Sequence, residues 1–209
     1  VMFAGINHVA VVVRNVGEAL RFYHGVLGLP IGHRATVADQ GVHAVLLPVG
    51  DDEIELLEPT NPTGGVARFL EKKGEGVHHL CLQTTDVAAA LARVKAANLP
   101  LIDQAPRQGL AGTIAFLHPG ACHGVLVEMA QPPEAAHHAH RVAPAAGGIG
   151  ATCINTIYVA TKDVAAAAEN YATHFDASVA GPTRDADFGA TRAVVRIGTS
   201  RVTLLDAGE

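Results

Sequence analysis

The sequence has no excess of positive charge: 15 Lys and Arg stand against 20 Asp and Glu, giving a formal net charge of -5 and a pI near 6.2. Phosphate backbones and anionic membranes meet no general attraction from such a chain, which excludes nucleic acid as an expected partner. Cysteine is scarce as well. Cys81, Cys122 and Cys153 are the only three, each among apolar or small neighbours. That usage suits packed free thiols in a reducing compartment rather than disulfides, so a cytoplasmic location is expected. Long apolar runs are missing: Val9 to Val13, the longest near the start, is far too short to span a bilayer, and no basic stretch or cleavage site precedes it. No membrane partner is expected. Glycine-rich phosphate loops and Walker motifs are also absent.

What is present is a chain of 209 residues, 49% hydrophobic and 17% charged, with a mean hydropathy of +0.24. This is enough to bury a sizeable interior in one or two domains, and it excludes wholesale disorder.

The dominant pattern is repetition. Ile6-Asn7-His8-Val9-Ala10-Val11-Val12-Val13 reads as a buried strand, and Val16 to Leu27 as an amphipathic helix. Asn15 is placed to cap that helix, with Glu18 at the third helical position. Three further apolar stretches follow, near Leu29 to Ile31, over Gly41 to Val49, and over Glu53 to Leu57 after an Asp51-Asp52 turn. The unit is β-α-β-β-β. A shift of 71 positions lays Val77-His78-His79-Leu80-Cys81-Leu82 over Ile6 to Val11, and Asp86 over Asn15. The copy's last strand, Gly124 to Glu128, needs a shift of 73. A shift of 148 brings out a third copy without a gap: Ile154-Asn155, Tyr171, Gly189, Gly198 and Leu204-Leu205 fall over Ile6-Asn7, Tyr23, Gly41, Gly50 and Leu56-Leu57.

The expected fold class is α+β, with paired βαβββ modules forming a cup-shaped sheet. Residues 1–132 hold two modules, at about 5–60 and 76–132. A linker rich in Pro, Ala, Gly and His covers 133–150, and a third, degenerate module covers 151–209.

Equivalent positions carry equivalent chemistry. His8 matches His79, and Glu55 matches Glu128. A lone His in a strand is usually a hydrogen-bonded core residue, and a lone Glu usually faces water. Four such coincidences at matched positions point instead to two imidazoles and two carboxylates converging about a pseudo-twofold axis. That set binds a divalent metal such as Zn, Co, Ni, Mn or Fe(II), and commonly leaves positions for water or substrate. His78 competes with His79, but side chains alternate along a strand and the repeat register selects His79. Cys81 and Gln83 would share its face, Cys81 as a small filler.

The third copy has Thr156 and Thr203 at the ligand positions. It is expected to be structural and to leave an unpaired face, filled by a second chain in a homodimer or by a missing partner domain. The run His137-His138-Ala139-His140 is read as a solvated patch. His24, His33, His43, His118 and His123 have no matched partners and are read as surface or supporting residues.

The paired units with His and Glu at their ends resemble the vicinal oxygen chelate superfamily. Within it, residues 5–132 are similar to methylmalonyl-CoA epimerases over GINHVAVVV (5–13), LLEPTNPTGGVARFLEKKGEGVHHLCL (56–82) and FLHPGACHGVLVEM (116–129). The resemblance implies a divalent metal, usually cobalt, held by His8, His79 and Glu128, with the Glu55 position as a further ligand that is Gln in some members. It also implies interconversion of the two epimers of methylmalonyl-CoA, an acyl-CoA thioester, by α-proton transfer through an enolate. Glu128 and Glu55 are then the candidate catalytic carboxylates, because inversion needs proton transfer at both faces of a planar intermediate. Several epimerases carry a Glu, proposed as a base, at the position where this chain has Ala44, and an Arg near the position of Thr113. Three other activities compete: a glyoxalase I-type lyase acting on a thiol hemithioacetal, an extradiol dioxygenase using Fe(II), and a non-catalytic small-molecule binder.

Overall fold

The computed structural model describes residues 2–133, 147–206 and 208. The first β-α-β-β-β run consists of β1 (Gly5–Val12), α1 (Val16–Tyr23), β2 (Arg34–Val37), β3 (Val42–Val49) and β4 (Asp52–Pro59). A helix, α2 (Gly65–Lys73), leads to β5 (Gly76–Gln83), α3 (Val87–Ala96), β6 (Arg107–Gly109), β7 (Gly112–Leu117) and β8 (Val127–Gln131). Beyond residue 147 come β9 (Thr156–Thr161), α4 (Val164–His174), β10 (Ser178–Asp185), β11 (Ala190–Ile197) and β12 (Ser200–Asp206).

The first eight strands form one curled sheet in the order β2-β3-β4-β1-β5-β8-β7-β6. Its two halves join where β1 runs antiparallel to β5. The fold is α+β, built on paired βαβββ modules. A separate four-stranded sheet has the order β10-β11-β12-β9.

Strand alternation sorts the core into two faces. Val45, Leu47, Val49 and Leu56 point to the convex side, against Val16 and Leu20 of α1. Ala10, Val12, Val42, Ala44 and Leu57 point into the cup, where Val66, Phe69 and Leu70 of α2 close over them. A register shift between Ile6 and His8 sends Ile6 to the convex side while His8 faces the cup. The largest apolar cluster joins the convex face around β5 and β8 to α3, α4 and one face of the four-stranded sheet, through Leu80, Leu91, Tyr171, Val195 and Leu204 among others.

The helix starts follow the sequence closely. Asn15, Asp86 and Asp163 each accept a hydrogen bond from the backbone N–H three residues on, at 2.9 Å. Gly50 and Gly198 both sit at positive φ in equivalent hairpin turns. A Cβ at Gly198 would strike the Ala4 carbonyl, and one at Gly50 the Thr152 carbonyl, so both turns require glycine.

Three boundaries differ from the sequence reading. The stretch Leu29 to Ile31 is not a strand; the first hairpin strand is Arg34–Val37. Pro30 has no N–H to donate, and Leu29 is instead buried against α1. Helix α1 ends at Tyr23 rather than Leu27, in turns that lead to Gly28 at φ +71°. The last strand of the second unit starts at Val127 rather than Gly124, because Gly124 has φ +94° and Val125 donates to Cys122 in a turn. Most of the 133–150 segment, including His137, His138 and His140, lies outside the described residues.

Candidate metal centre

The four central strands of the curled sheet, β4, β1, β5 and β8, each contribute one side chain to the floor of the cup: Glu55, His8, His79 and Glu128. The pairing is internally symmetric. His8 lies opposite Cys81 and Ala10 opposite His79, while Glu55 sits beside Ala10 and Glu128 beside Cys81. Each ligand type is thus one strand away from its counterpart's neighbour, which is why matched positions in the sequence converge in space.

The convergence is tight. The two Nε2 atoms are 3.1 Å apart. Glu55 Oε2 is 3.5 Å from His8 Nε2 and 3.6 Å from His79 Nε2. Glu128 Oε2 is 3.6 Å from His8 Nε2 and 2.9 Å from His79 Nε2. All four residues are buried, with exposures between 1% and 6%. Such a set needs a cation or shared protons at its centre, since two carboxylates out of water are costly when unpaired.

The donors suit a divalent ion. Ligands about 2.1 Å from one ion stand about 3.0 Å apart at right angles and about 3.4 Å apart in a tetrahedron, and the five observed spacings, from 2.9 to 3.6 Å, lie within about 0.2 Å of that range. The outer ring nitrogens are also engaged. His8 Nδ1 lies 2.9 Å from Asn7 Oδ1, and His79 Nδ1 lies 2.9 Å from His78 Nδ1. If each outer nitrogen carries the N–H, Nε2 keeps its lone pair for the cup. The His8, Glu55 and His79 donors form one potential cation-binding group, and His8, Cys81 and Glu128 another.

Electrostatics separate the two carboxylates. Burial raises the Glu55 carboxyl above its ordinary value, more than the two imidazoles lower it. Burial also acts to raise Glu128, but hydrogen bonds from His79 and His8 outweigh it and hold this group at about 2. Burial opposes protonation of His8, yet Cys81, Glu55 and Glu128 together raise it well above the usual imidazole range. Burial pushes the Cys81 thiol itself up to about 12, so near neutral pH it is uncharged and the carboxylates carry the effect on His8. Burial and the neighbouring His79 lower His78 to about 4.

Ala44 faces the cup, fully buried beside Leu57, so no carboxylate stands on that part of β3. His43 points the other way, is exposed, and pairs with Thr36 Oγ1 at 2.9 Å. Gln83 lies at the edge of the site and accepts from Asn7 Nδ2 at 3.4 Å. Thr156 and Thr203, at the matching positions of the last segment, lie on β9 and β12 of the other sheet.

Sequence reasoning treated Cys81 as filler, and Asn7 and His78 were not assigned a role. Their signal was present as neighbours of the ligand positions: Asn7 and His78 each immediately precede a ligand, and Cys81 lies two residues beyond one on the same face. Above the floor, Phe116 meets the His79 ring edge to face, with ring centroids 5.1 Å apart. Arg107 lies over the Phe116 ring at 5.5 Å and pairs with Asp103. Phe116 and Arg107 line a cavity of about 470 Å³ together with Gln40, Val66, His78 and Leu126.

A model of the Glyoxalase/Bleomycin resistance protein/Dioxygenase superfamily matches residues 7–116, more than half of the chain. The chain belongs to this superfamily. Among its relatives, the uncharacterized protein YqjC of Bacillus subtilis (strain 168) is 37% identical over 136 residues, 65% of this chain and 97% of that protein. The mitochondrial methylmalonyl-CoA epimerase of Bos taurus is 35% identical, over 60% of this chain and 73% of that enzyme. A solved structure of a Streptomyces coelicolor methylmalonyl-CoA epimerase variant in complex with 2-nitronate-propionyl-CoA matches with a TM-score of 0.59 and 34% identity. The match covers 61% of this chain and 96% of that one. Homologues at this level of identity make the superfamily member described here an epimerase-like protein over its first two modules. Among the described residues, no helix is long and apolar enough to cross a membrane.

Proposed function

We propose that this protein epimerises methylmalonyl-CoA or a closely related acyl-CoA by moving the proton on the carbon between a thioester and a carboxylate. The observation that carries this reading is the convergence of His8, His79, Glu55 and Glu128 at the floor of one cup, in a chain whose relatives include epimerases of that substrate. The four residues would hold a divalent ion, with cobalt favoured by the family resemblance. Such an ion, when bound, supplies Lewis acidity toward the substrate's two oxygens and lowers the cost of the negative charge left by the departing α-proton.

The protein's own groups handle the proton. Glu128 is fixed by the 2.9 Å contact with His79 and serves chiefly as a ligand. Glu55 has looser contacts, of 3.5 and 3.6 Å, and is the group best placed to accept the proton at one face. Inversion also requires delivery at the opposite face, and Glu128 is the other carboxylate lining the cup. Phe116 and Val66 of α2 line the cavity, and Phe69 of α2 packs over the apolar cluster in the cup. Arg107, paired with Asp103, lines the same cavity.

One observation favours a second reading. With Ala44 in the cup, both available carboxylates are also ligands. A glyoxalase I-type isomerisation of a hemithioacetal needs only one carboxylate that shuttles a proton over one face, and this site supplies that too. The free thiols, two of them buried, favour a reducing compartment, and we place the protein in the cytoplasm.

The deciding experiment follows methylmalonyl-CoA by proton NMR in heavy water with cobalt-loaded protein. Loss of the α-proton signal that depends on metal and disappears in His79→Ala is expected. No exchange with loaded wild type, or exchange that survives in His79→Ala, would refute the assignment. Turnover of methylglyoxal with a thiol, in the absence of α-proton exchange, would select the lyase.

A further inference from the structure

The floor of the cup is symmetric in its imidazoles and carboxylates and asymmetric in what lies between them. The 71-residue shift that lays His79 over His8 also lays Cys81 over Ala10. Two rows run across the strands. In one, Ala10 stands between Glu55 on β4 and His79 on β5. In the other, Cys81 stands between His8 on β1 and Glu128 on β8. Each row thus flanks one short side chain with an imidazole and a carboxylate. In the first row that side chain is a methyl group, which can donate nothing to a cation; in the second it is a thiol.

Packing alone does not call for sulfur at this place, because Ala10 fills the matched position with equally full burial. The thiol is free of any disulfide and lies within hydrogen-bonding reach of the His8 ring. Ile114, Phe116 and Ala130 pack around it, apolar surroundings that suit a soft, weakly hydrated donor. The donor atoms of His8, Cys81 and Glu128 all lie within 4.8 Å of one another. The sulfur is therefore grouped with one nitrogen and one oxygen of the set that converges at the centre of the cup, while Glu55 makes the looser contacts of 3.5 and 3.6 Å with the two imidazoles.

We propose that Cys81 is itself a metal ligand: its Sγ joins His8, His79 and Glu128 on the ion, gives the centre one soft sulfur donor, and leaves Glu55 for the proton. When the ion enters, the S–H bond breaks, the proton leaves to solvent and the sulfur lone pair goes to the cation; nothing is oxidised or reduced. Thiolate favours zinc and cobalt, whereas manganese is suited by oxygen donors. One side chain, with only a methyl group at the matched position of the first unit, thus sets which ions the cup prefers. The proposal rests on the reading of the cup as a metal centre and not on the identity of the substrate.

The test is the absorption spectrum of the full chain loaded with one equivalent of cobalt(II), prepared with no thiol reductant present. A thiolate on cobalt gives an intense sulfur-to-metal band in the near ultraviolet that nitrogen and oxygen ligands do not give. Wild type and Cys153→Ser are expected to show the band, and Cys81→Ala and Cys81→Ser to bind cobalt without it. Cys81→Ala copies the buried Ala10 of the matched position, and circular dichroism checks that it folds. Should both Cys81 variants fail to fold, a band kept in Cys153→Ser and in Cys122→Ala assigns the sulfur to Cys81, the remaining one of three cysteines. Zinc affinity is expected to fall about tenfold or more in Cys81→Ala and manganese affinity by about twofold or less. A thiol that only supports a ligand would also lower affinity, by about 10- to 100-fold, but for both ions and with no band in wild type. Stoichiometric cobalt without the band in wild type, or a band that survives in Cys81→Ala, overturns this proposal alone. Wild type that takes up no cobalt overturns the metal centre together with it.

Discussion

Replacing Glu55 by glutamine separates holding a metal from moving a proton. The carboxylate lies 3.5 Å from His8 Nε2 and 3.6 Å from His79 Nε2, buried on all sides. Glutamine has nearly the same shape and keeps an oxygen to offer a cation, but it cannot take up a proton. A positioned general base contributes about a hundred- to ten-thousand-fold in rate, or about 3 to 5 kcal/mol at about 1.4 kcal/mol per decade. Glu55→Gln is therefore expected to lose α-proton exchange by that factor while retaining one equivalent of cobalt at saturating metal. Glu128→Gln is expected to differ, because it weakens the 2.9 Å contact with His79 and so releases metal as well. The assay pairs deuterium incorporation into methylmalonyl-CoA with elemental analysis of the same samples. Exchange by metal-replete Glu55→Gln at a rate close to wild type would refute Glu55 as the base and move that role to Glu128.

Metal affinity should fall with pH. In the metal-free protein His8 holds its proton to a higher pH than ordinary imidazole, so an incoming cation must displace it; below that raised pKa, affinity drops about tenfold per pH unit. Cobalt titrations between neutral and mildly acidic pH check this, and a flat profile contradicts it. Tyr171→Phe should stabilise the fold by about 1 kcal/mol, since the buried Tyr171 hydroxyl has no hydrogen-bond partner among the described residues. A thermal melt that drops instead would show that this hydroxyl is satisfied in solution. Asp163→Ala should cost about 1 kcal/mol in urea unfolding by removing the 2.9 Å cap on Ala166 N–H.

The repeat made the convergence of the four side chains legible. A 71-residue spacing of His8 and His79, with Glu55 and Glu128 at matching strand positions, required only that strands alternate and that like sequences fold alike. The helix caps at Asn15 and Asp86 were equally readable, because capping is chemistry between residues three apart. Pro30 and Gly124 misled the strand boundaries, since an apolar stretch does not reveal whether its backbone groups find a ladder. Helix α2, folding Val66, Phe69 and Leu70 over the cup, was not legible as a lid: its polar and apolar residues make sense only once Ala10, Ala44 and Leu57 lie beneath it.

By itself, then, the order of residues determined the unit, its two copies in the curled sheet and the types of side chain at its strand ends, all of which follow from local periodicity. Tertiary structure alone decided that β1 lies against β5. From that one adjacency come the 3.1 Å approach of two imidazoles, the presence of Cys81 among the donors, and the opposite displacement of two chemically identical carboxylates. Burial and charge coupling depend on distances between residues remote in sequence, and only the folded chain sets those distances.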